Sequence, residues 1–411
     1  MSTVGLVVEY NPLHNGHLYH IQQSRKITDA ESVIAVMSGH FLQRGEPAVA
    51  DKWARTEMAL RAGCDLVLEL PVAYSAQPAQ WFAYGAVAAL DATGVCDALC
   101  FGSESGDVRA LARIADRLAA ESEAMRLRLG ALLKEGLPYP TAYASAAREL
   151  LAAEGDADAA FGLAEPNHTL GLHYLLALRK LGSPMAAHSI RREKAGYNET
   201  AITDAAIASA TALRRLIFEA GGALDGLAPF APSSTLAVLR REAAAGKAPV
   251  GWEAFARPLF HLLGALPAAE LASYAEVTEG LEHRIKGALR ELRSWRVDEL
   301  LDLLKTRRYT RTKLQRMLAR ILLGHRKEEL TADRLAGGVQ YIRVLGFTAR
   351  GRELLRRMKK TAAVPVVQSA ADGDWPYLAM DARATAVYAA GCASARPADA
   401  WRDYTEPPVR I

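Results

Sequence analysis

The sequence predicts an α/β fold, a Rossmann-like doubly wound parallel sheet followed by an all-α, basic domain. Short apolar runs alternate with helical patterns up to about residue 220, and the pattern is then helical to about residue 360. Residues 281–360 hold 22 Lys and Arg against 9 Asp and Glu, a net of +13 in a chain whose total is +4. A chain of 411 residues is long for one core. We therefore expect two domains, over residues 1–220 and 221–411, with a helical insertion at about residues 108–160.

The predicted strands are short and almost wholly apolar, which is typical of strands buried on both faces of a parallel sheet. They lie at residues 4–8, 33–37, 66–70, 98–101 and 185–190, with a possible short strand at 364–367. Helices are predicted at residues 52–62, 81–91 and 170–181, and another begins at Ser209 or Thr211, either of which can cap it. Polar clusters follow the first, second and fourth strands, at the edge where such sheets bind ligands.

The most distinctive of these clusters is the tetrad His14-Asn15-Gly16-His17, which separates the first strand from a helix. A helix N-terminus offers free backbone N–H groups and positive partial charge to a phosphate. A glycine lets the backbone approach the ligand, and the two imidazoles can donate hydrogen bonds to charge that develops on a phosphoryl oxygen. The sequence therefore predicts a nucleotide site with His14 and His17 as its catalytic residues.

The remaining composition excludes several classes of protein. The N-terminus lacks the basic region and the long apolar run of a signal peptide, and no stretch approaches a membrane span, so we expect a cytoplasmic protein. The four cysteines form neither a disulfide framework nor a paired CxxC site, and we expect no metal ligands among them.

One helix of the second part presents a basic stripe beside an apolar one. Leu314, Met317, Leu318, Ile321 and Leu322 recur at helical spacing, whereas Lys313, Arg316, Arg320 and Lys327 fall within about 60° of one another on a different face. Arg307, Arg308, Tyr309 and Arg311 lie just before this helix. Basic side chains around an aromatic ring suit RNA, although a solvated basic face has the same pattern.

Several longer motifs resemble those of the bacterial tRNA(Met) cytidine acetate ligases, a family of the HIGH-type nucleotidyltransferase superfamily. The resemblance covers nearly the whole chain, and the run from Ser38 to Asp51 is far more specific than the tetrad. It is carried by residues 4–17, 38–47, 51–55, 65–71 and 101–104, by Pro166-Asn167 with Leu170-Gly171, and by residues 209–214 and 306–310. His168 and His173 depart from the pattern that we expect around Asn167, and Arg307 replaces a more usual lysine.

This resemblance implies a two-step reaction. Acetate would attack the α-phosphate of ATP to give acetyl-adenylate and pyrophosphate, and the wobble cytidine of elongator methionine tRNA would then take the acetyl group, without acetyl-CoA. Mg²⁺ is expected as a counter-charge for the phosphates. The partners implied are tRNA and acetate.

The resemblance also places the ATP site, and residue chemistry agrees with it. Gly102 lets the backbone approach the nucleotide, Asn167 can read the adenine or a ribose hydroxyl, and Arg192 suits a phosphate. Thr211 and Arg214 would lie near the β- and γ-phosphates. The ATP site would comprise Val7, Val8, Glu9, Tyr10, Asn11, Pro12, Leu13, His14, Asn15, Gly16, His17, Leu18, Tyr19, His20, Gly102, Asn167 and Arg192. The tRNA contacts would include Arg307, Arg308, Arg311, Lys313, Arg316 and Arg320.

Other interpretations stay open from the residues alone. Gln43, Arg44, Glu46, Asp51, Lys52 and Arg55 could face a substrate or form structural ion pairs. A small-molecule adenylyltransferase or cytidylyltransferase of cofactor metabolism would share the tetrad and the sheet, but it does not call for a basic helical domain. A non-enzymatic RNA-binding module with a retained nucleotide pocket is the third hypothesis.

Overall fold

The computed structural model describes residues 2–120, 122–155, 158, 161–192 and 208–411. Within the predicted insertion, residues 121, 156, 157, 159 and 160 lie outside the described residues. In the N-terminal part, strands and helices follow each other in this order: β1 (Thr3–Val8), α1 (Asn15–Thr28), β2 (Ser32–Ser38), α2 (Lys52–Arg61), β3 (Leu66–Leu70), α3 (Val72–Ser75), α4 (Ala79–Asp91), β4 (Ala98–Ser103), α5 (Val108–Leu118), α6 (Glu123–Lys134), α7 (Tyr139–Ala153), α8 (Pro166–Leu181), β5 (Ala186–Arg191) and α9 (Ala210–Glu219).

The rest of the chain is mainly helical and returns to the sheet. Its elements are α10 (Ser233–Ala244), α11 (Ala256–Ala265), α12 (Ala268–Leu271), α13 (Leu281–Glu291), α14 (Val297–Leu304), α15 (Arg311–Leu322), α16 (Ala332–Ala336), β6 (Ile342–Phe347), α17 (Ala349–Thr361), β7 (Val366–Val367), α18 (Pro376–Ala390), α19 (Arg402–Thr405) and β8 (Val409–Arg410). The expectation of a helical pattern through residue 360 is wrong at β6. The charge of Arg343 interrupts that apolar run in the sequence, but in the fold Arg343 is buried against Asp403.

Within the described residues the sheet has the strand order β5-β4-β1-β2-β3-β6-β7, and β8 also pairs with β6. Strands β1 to β5 are parallel, and β6 joins β3 antiparallel. Read from β3, the parallel part has the order 3-2-1-4-5 of a doubly wound nucleotide-binding sheet, with its switch point between β1 and β4. The predicted α/β class is confirmed.

Alternation along the strands divides the core between the two faces of the sheet. Val33, Ala35 and Met37 of β2 face α1, α2 and α9, whereas Ile34 and Val36 face the other side. The apolar residues of α11, α14 and α15 are continuous with this second core. Helices α11, α14 and α15 therefore share a core with one face of the sheet, while α10 packs with α2 on the other face. The boundary predicted at residue 220 stays a prediction.

A buried ion network fastens the C-terminal segment to the sheet. The Lys52 Nζ lies 2.8 Å from carboxylate oxygens of both Glu69 and Asp403, and Asp403 also pairs with Arg343 at 3.2 Å. All four side chains are almost completely buried. Because a buried charge without a partner is costly, these contacts fix α2, β3, β6 and α19 relative to one another.

Candidate nucleotide-binding site

A cavity of about 260 Å³ opens at the carboxyl ends of the parallel strands. It lies at the switch point, where β1 ends at Val8 and β4 ends at Ser103. Its walls come from the ends of β1, β4 and β5, from α1 and α9, and from the loop after β2. The lining residues are Val7, Val8, Glu9, Tyr10, Asn11, His14, Gly16, His17, Tyr19, His20, Leu42, Gln43, Arg44, Glu46, Phe82, Phe101, Gly102, Asn167, Leu170, Tyr174, Ile190, Arg191, Arg192, Ala208, Ser209, Ala210, Thr211 and Arg214.

The two predicted catalytic histidines also cap helix α1. The Gly16 backbone N–H donates to Nδ1 of His14 at 3.1 Å, and the His14 backbone N–H donates to Nδ1 of His17 at 3.3 Å. In a neutral imidazole whose Nδ1 accepts a hydrogen bond, the proton is on Nε2. The rings stack with 3.7 Å between their centroids. The caps therefore fix both histidines as Nε2–H donors.

Electrostatics keeps these imidazoles neutral. Burial, with Arg192 and Arg214 nearby, lowers the pKa of His14 to about 3. Burial and the neighbouring His14 hold the pKa of His17 well below its usual value, and burial beside Arg192 lowers that of His20 to about 4. The histidines are thus neutral hydrogen-bond donors at pH 7, and the arginines supply the permanent positive charge.

The loop after β2 divides into cavity residues and structural residues. Gln43, Arg44 and Glu46 line the cavity. Arg55 is fully buried and donates to the backbone carbonyls of Glu9 (2.7 Å), Ser38 (3.0 Å) and Gly39, so it joins the carboxyl ends of β1 and β2. Lys52 belongs to the buried ion network, and Asp51 caps α2 and pairs with Arg402 at 2.5 Å.

Glu9 organises the same loop from the floor of the cavity. Its Oε1 accepts the Gln43 backbone N–H at 2.7 Å and the Ser38 hydroxyl at 3.4 Å. Burial raises its pKa, although the Gln43 N–H and Arg214 oppose this shift. The contact holds Gln43 at the wall, where its amide donates to the Gln77 carbonyl at 2.9 Å.

Asn167 and Arg192 meet on the opposite wall. Glu104 accepts the backbone N–H groups of Asn167 (3.0 Å) and His168 (2.8 Å) and the Asn167 amide (2.7 Å), and so it caps α8. The Asn167 Oδ1 accepts from Arg192 at 3.3 Å. A Cβ on Gly102 would lie 3.2 Å from Cγ of Arg192, so a glycine leaves room for this arginine at the cavity.

The start of α9 forms the remaining wall. Ser209 caps the helix by accepting the Ala212 N–H at 3.1 Å. Arg214 donates to the Asn11 carbonyl at 3.2 Å, pairs with Glu46 at 2.8 Å and lies 3.4 Å from the Thr211 hydroxyl. Thr211 and Arg214 therefore face the same cavity as the histidines.

Most residues predicted for the ATP site line this cavity, and four lie away from it. Leu13 is fully buried in the core, and the Asn15 amide donates to the Pro229 carbonyl at 3.0 Å. Pro12 and Leu18 are not among the lining residues. These four residues build the turn and the first helix rather than the walls, because a consecutive run cannot direct every side chain to one side.

Sequence reasoning missed the apolar part of the cavity and the residue that positions Asn167. Phe82, Phe101, Leu170, Tyr174 and Ile190 line the cavity. Nothing local distinguishes them from core residues. Glu104 had a detectable signal, since it is the first residue after Ser103, where the buried strand β4 ends.

The predicted basic ridge on α15 is largely neutralised. Glu276 pairs with Arg316 at 2.9 Å and with Lys313 at 3.1 Å. Burial alone would raise the pKa of Glu276, but these two cations lower it to about 2. Arg308 pairs with Glu279, and Arg311 pairs with Asp298 and with Asp302 at 2.9 Å. Arg307 is exposed.

The prediction that Arg320 contacts tRNA is wrong. It is completely buried and donates to the carbonyls of Val72 (3.1 Å), Ala73 (3.3 Å) and Ala76 (2.7 Å) around α3. Its position on the helix suggested a solvent-facing residue, but α3 and the segment after it cover that side. A folded chain cannot present Arg320 to RNA.

Helix α15 also reaches the rim of the cavity. Gly45, with φ of +82°, packs so closely that a Cβ would lie 2.3 Å from the Arg316 backbone nitrogen. The Gln315 amide lies 3.5 Å from Glu46, which pairs with Arg214. No helix in the described residues is long and apolar enough to cross a membrane.

The fold and this site define a nucleotide-binding α/β protein with a HIGH-type histidine pair. The family profile described as HIGH Nucleotidyl Transferase matches residues 1–401. A tRNA(Met) cytidine acetate ligase of Acetivibrio thermocellus is 41% identical over 374 residues, 90% of this chain and 89% of the relative. One of Bacillus subtilis is 40% identical over 394 residues, 94% of this chain and 92% of the relative.

Solved structures agree with the sequence comparison. Apo Thermotoga maritima TmcAL matches with a TM-score of 0.92 at 34% identity, with all of both chains covered. The same protein bound with alpha-thio ATP gives a TM-score of 0.91 with the same identity and coverage. The chain therefore belongs to the tRNA(Met) cytidine acetate ligase family of the HIGH nucleotidyltransferases.

Proposed function

We propose that this chain is an ATP-dependent ligase that activates acetate as acetyl-adenylate and acetylates the wobble cytidine of elongator tRNA(Met). The observation that carries the proposal is the pair His14 and His17, fixed as neutral Nε2–H donors beside Arg192 and Arg214 in one cavity at the switch point. Family membership supports the choice of substrates, since the curated relatives carry that name.

In the first step a carboxylate oxygen of acetate forms a bond to the α-phosphorus, and the bond to the bridging oxygen of pyrophosphate breaks. Negative charge builds up on the phosphoryl oxygens and on the leaving pyrophosphate. The His14 and His17 Nε2–H groups would donate to those oxygens, and the guanidinium of Arg192 would hold the phosphates. Thr211 and Arg214 would contact the β- and γ-phosphates, where the N-terminus of α9 adds backbone N–H groups.

The adenosine end would lie against the wall formed by β4 and α8. Gly102 leaves space there, and Asn167 is held by Glu104, so its amide has one fixed orientation for a base or ribose hydroxyl. The apolar side chains Phe101, Leu170 and Ile190 provide a surface for the adenine. The His20 Nε2, buried without a partner among the described residues, offers a further polar contact.

In the second step the exocyclic amine of cytidine attacks the acetyl carbon. A C–N bond forms, the C–O bond to the adenylate breaks, and AMP leaves while one proton is lost. The exposed Arg307, the exposed and ion-paired Arg308, and the half-buried, ion-paired Arg311 stay candidates for tRNA contact. Lys313 and Arg316 can contribute only if RNA competes with Glu276.

Mg²⁺ fits this site as a partner of ATP rather than of the protein. The cavity carboxylates are already engaged: Glu9 holds the loop after β2, and Glu46 pairs with Arg214. Clusters of three or more His, Cys, Asp or Glu side chains suited to a metal ion are absent from the described residues. We therefore infer that the ion is held by phosphate oxygens and water, as is common for Mg²⁺.

One assay separates the hypotheses. The purified protein is incubated with acetate, ATP, Mg²⁺ and an unmodified elongator tRNA(Met) transcript, and the nucleosides are analysed. We expect N-acetylcytidine at the wobble position, with AMP and pyrophosphate formed in equal amounts. A transcript with uridine at that position and a reaction without acetate are the matched controls.

Two other outcomes would contradict the proposal. ATP turnover that leaves the RNA unmodified would favour a small-molecule adenylyltransferase. RNA binding without either product would favour a non-enzymatic module.

A further inference from the structure

The most exposed large apolar side chain among the described residues is Trp295, with 72% of its surface accessible. It lies in the loop between α13 and α14 and is flanked by Arg293 and Arg296, with Arg290 at the end of α13. All three arginines are exposed. We name Arg290, Arg293, Trp295 and Arg296 the tryptophan tip.

The tip is held in place although its tryptophan faces solvent. The Glu299 carboxylate accepts the backbone N–H groups of Arg293 (2.9 Å) and Ser294 (3.0 Å), together with the Ser294 hydroxyl (2.5 Å). The ring of Phe260 in α11 meets the Trp295 ring edge-on, with 5.1 Å between centroids. The indole is thus preorganised, and most of its surface is left without a protein partner.

The arginines of the tip differ from four cations in or just before helix α15. Arg308, Arg311, Lys313 and Arg316 are all ion-paired with carboxylates. The guanidinium groups of Arg290, Arg293 and Arg296 form no hydrogen bond or ion pair with any residue that the structure describes, and the nearby Glu299 is occupied by the loop backbone. Arg293 interacts electrostatically with Glu299, but none of the three arginines has to break a hydrogen-bonded ion pair with a described residue to bind a polyanion.

We propose that the tryptophan tip is a second RNA contact, on which an unpaired base of the tRNA outside the wobble position stacks on Trp295 while Arg290, Arg293 and Arg296 bind the adjoining phosphates. The inference rests on the proposed function for the identity of the RNA. A flat aromatic face beside exposed cations is a combination that proteins use for single-stranded nucleotides. Three cations beside one aromatic ring favour a polyanion as the partner, and a protein interface is an outcome that the test distinguishes.

The test compares the full-length protein with Trp295→Ala, Trp295→Leu and Trp295→Phe. Binding of the elongator tRNA(Met) transcript is measured by filter binding, and acetate-dependent ATP–pyrophosphate exchange is measured without RNA. We expect roughly tenfold weaker tRNA binding for the Ala and Leu variants, near wild-type binding for the Phe variant, and unchanged exchange and Tm for all three. The Leu variant separates stacking from burial of an apolar side chain.

Charge is tested with a matched pair of substitutions. Arg293→Gln should reduce the slope of log Kd against log salt by about one. Lys359→Gln removes an exposed cation of α17, a helix whose capping residue Thr348 donates to Asp65 at the amino end of β3. It should leave that slope unchanged.

A fluorescence measurement reports the stacking itself. The chain has six tryptophans, so the tRNA-induced quenching of the wild type is compared with that of Trp295→Phe. A base stacked on Trp295 would make the wild-type quenching the larger of the two.

The outcomes distinguish failure of the inference from failure of the proposed function. If the wild type acetylates tRNA and Trp295→Ala binds it equally well, the inference is wrong and the proposed function stands. If Trp295→Ala also loses pyrophosphate exchange or stability, the indole is structural and the inference is again wrong. If a wild-type dimer dissociates on Trp295→Ala, the tip is a protein interface. If the wild type neither binds nor modifies tRNA, both proposals fail.

Discussion

The cavity and helix α15 both carry cations that are close together in space, yet their surroundings give these cations different uses. In the cavity, Arg192 and Arg214 face a space that can hold a ligand, although Arg214 also pairs with Glu46. In α15, Arg316 and Lys313 share Glu276, and Arg320 is covered by the α3 segment. The difference shows that a basic stripe in the sequence gives only the number of cations on one helix face. Whether those cations can bind a ligand depends on the carboxylates and carbonyls that other parts of the chain place against them.

The histidine pair provides the largest expected effect on the cavity side of this comparison. His17→Ala removes one Nε2–H donor, and we expect the rate of acetyl-adenylate formation to fall by about 10²- to 10³-fold. Binding of tRNA should stay nearly unchanged, because the substitution lies inside the cavity. Pyrophosphate release in single-turnover experiments measures the first effect and filter binding the second.

His17→Gln is the matched control, because a glutamine at this helix position can still accept the His14 backbone N–H. It should restore the Tm without restoring the full rate. Wild-type activity in the Ala variant would exclude the role given to His17.

Arg320 provides the largest expected effect on the helix side, and the effect is on stability. Arg320→Met leaves the carbonyls of Val72, Ala73 and Ala76 without their donor, which should lower the free energy of unfolding by roughly 3 kcal/mol. Urea denaturation measures this loss. Arg307→Met, at an exposed site, should change it by less than about 0.5 kcal/mol. An Arg320→Met protein of normal stability and weak tRNA binding would restore the ridge hypothesis.

The pH dependence of stability sharpens the comparison further. Burial lowers the pKa of His173 in α8 and that of His20 to about 4, and that of His14 to about 3, whereas the unfolded chain has values near 6.5. A histidine with a lowered pKa contributes its full stability above about pH 6.5 and loses it as the pH falls toward 4, because only the unfolded chain then takes up the proton.

Glu276, with a pKa of about 2, loses its contribution only below the pKa of an unfolded glutamate, near 4.3. We therefore expect protonation of the histidines, and not of the α15 ion pairs, to lower the free energy of unfolding between pH 7 and 5. Between pH 7 and 4, the total decrease should be about 1–3 kcal/mol smaller for His173→Phe than for the wild type. Identical pH profiles for the two proteins would contradict the assignment.

The smallest expected effect concerns the space beside Arg192. Gly102→Ala adds a Cβ at 3.2 Å from the Arg192 Cγ, so the arginine must shift by a few tenths of an ångström. We expect the KM for ATP to rise by less than about tenfold, since the neighbour is a flexible side chain. Gly130→Ala in α6, where nothing lies within 4 Å, is the control and should leave the KM unchanged. A Gly102→Ala enzyme with normal KM would show that Arg192 does not approach the nucleotide.

The sequence by itself determined the parallel sheet, the order of its strands along the chain and the place of the nucleotide cavity. Apolar runs such as Leu66–Leu70 and caps such as Ser209 are local signals, and parallel strands bring their carboxyl ends to one edge whatever the rest of the chain does. This is why the polar clusters at His14 and Gly102, far apart in sequence, are predicted at one edge of the sheet, whereas the family resemblance supplied Asn167 and Arg192.

Only the tertiary structure decided which polar residues face a ligand and which hold the fold. Lys52 pairs with Asp403 across 351 residues and Arg343 pairs with it across 60. Arg55 donates its hydrogen bonds to carbonyls at the ends of two strands, and Arg320 is covered by α3. Nothing in the sequence around Trp295 distinguishes it from a buried aromatic residue, whereas in the structure its side chain is exposed beside arginines. Periodicity and composition are local properties, whereas burial and ion pairing depend on partners from elsewhere in the chain. Only the folded protein therefore shows which Lys and Arg side chains can bind a ligand.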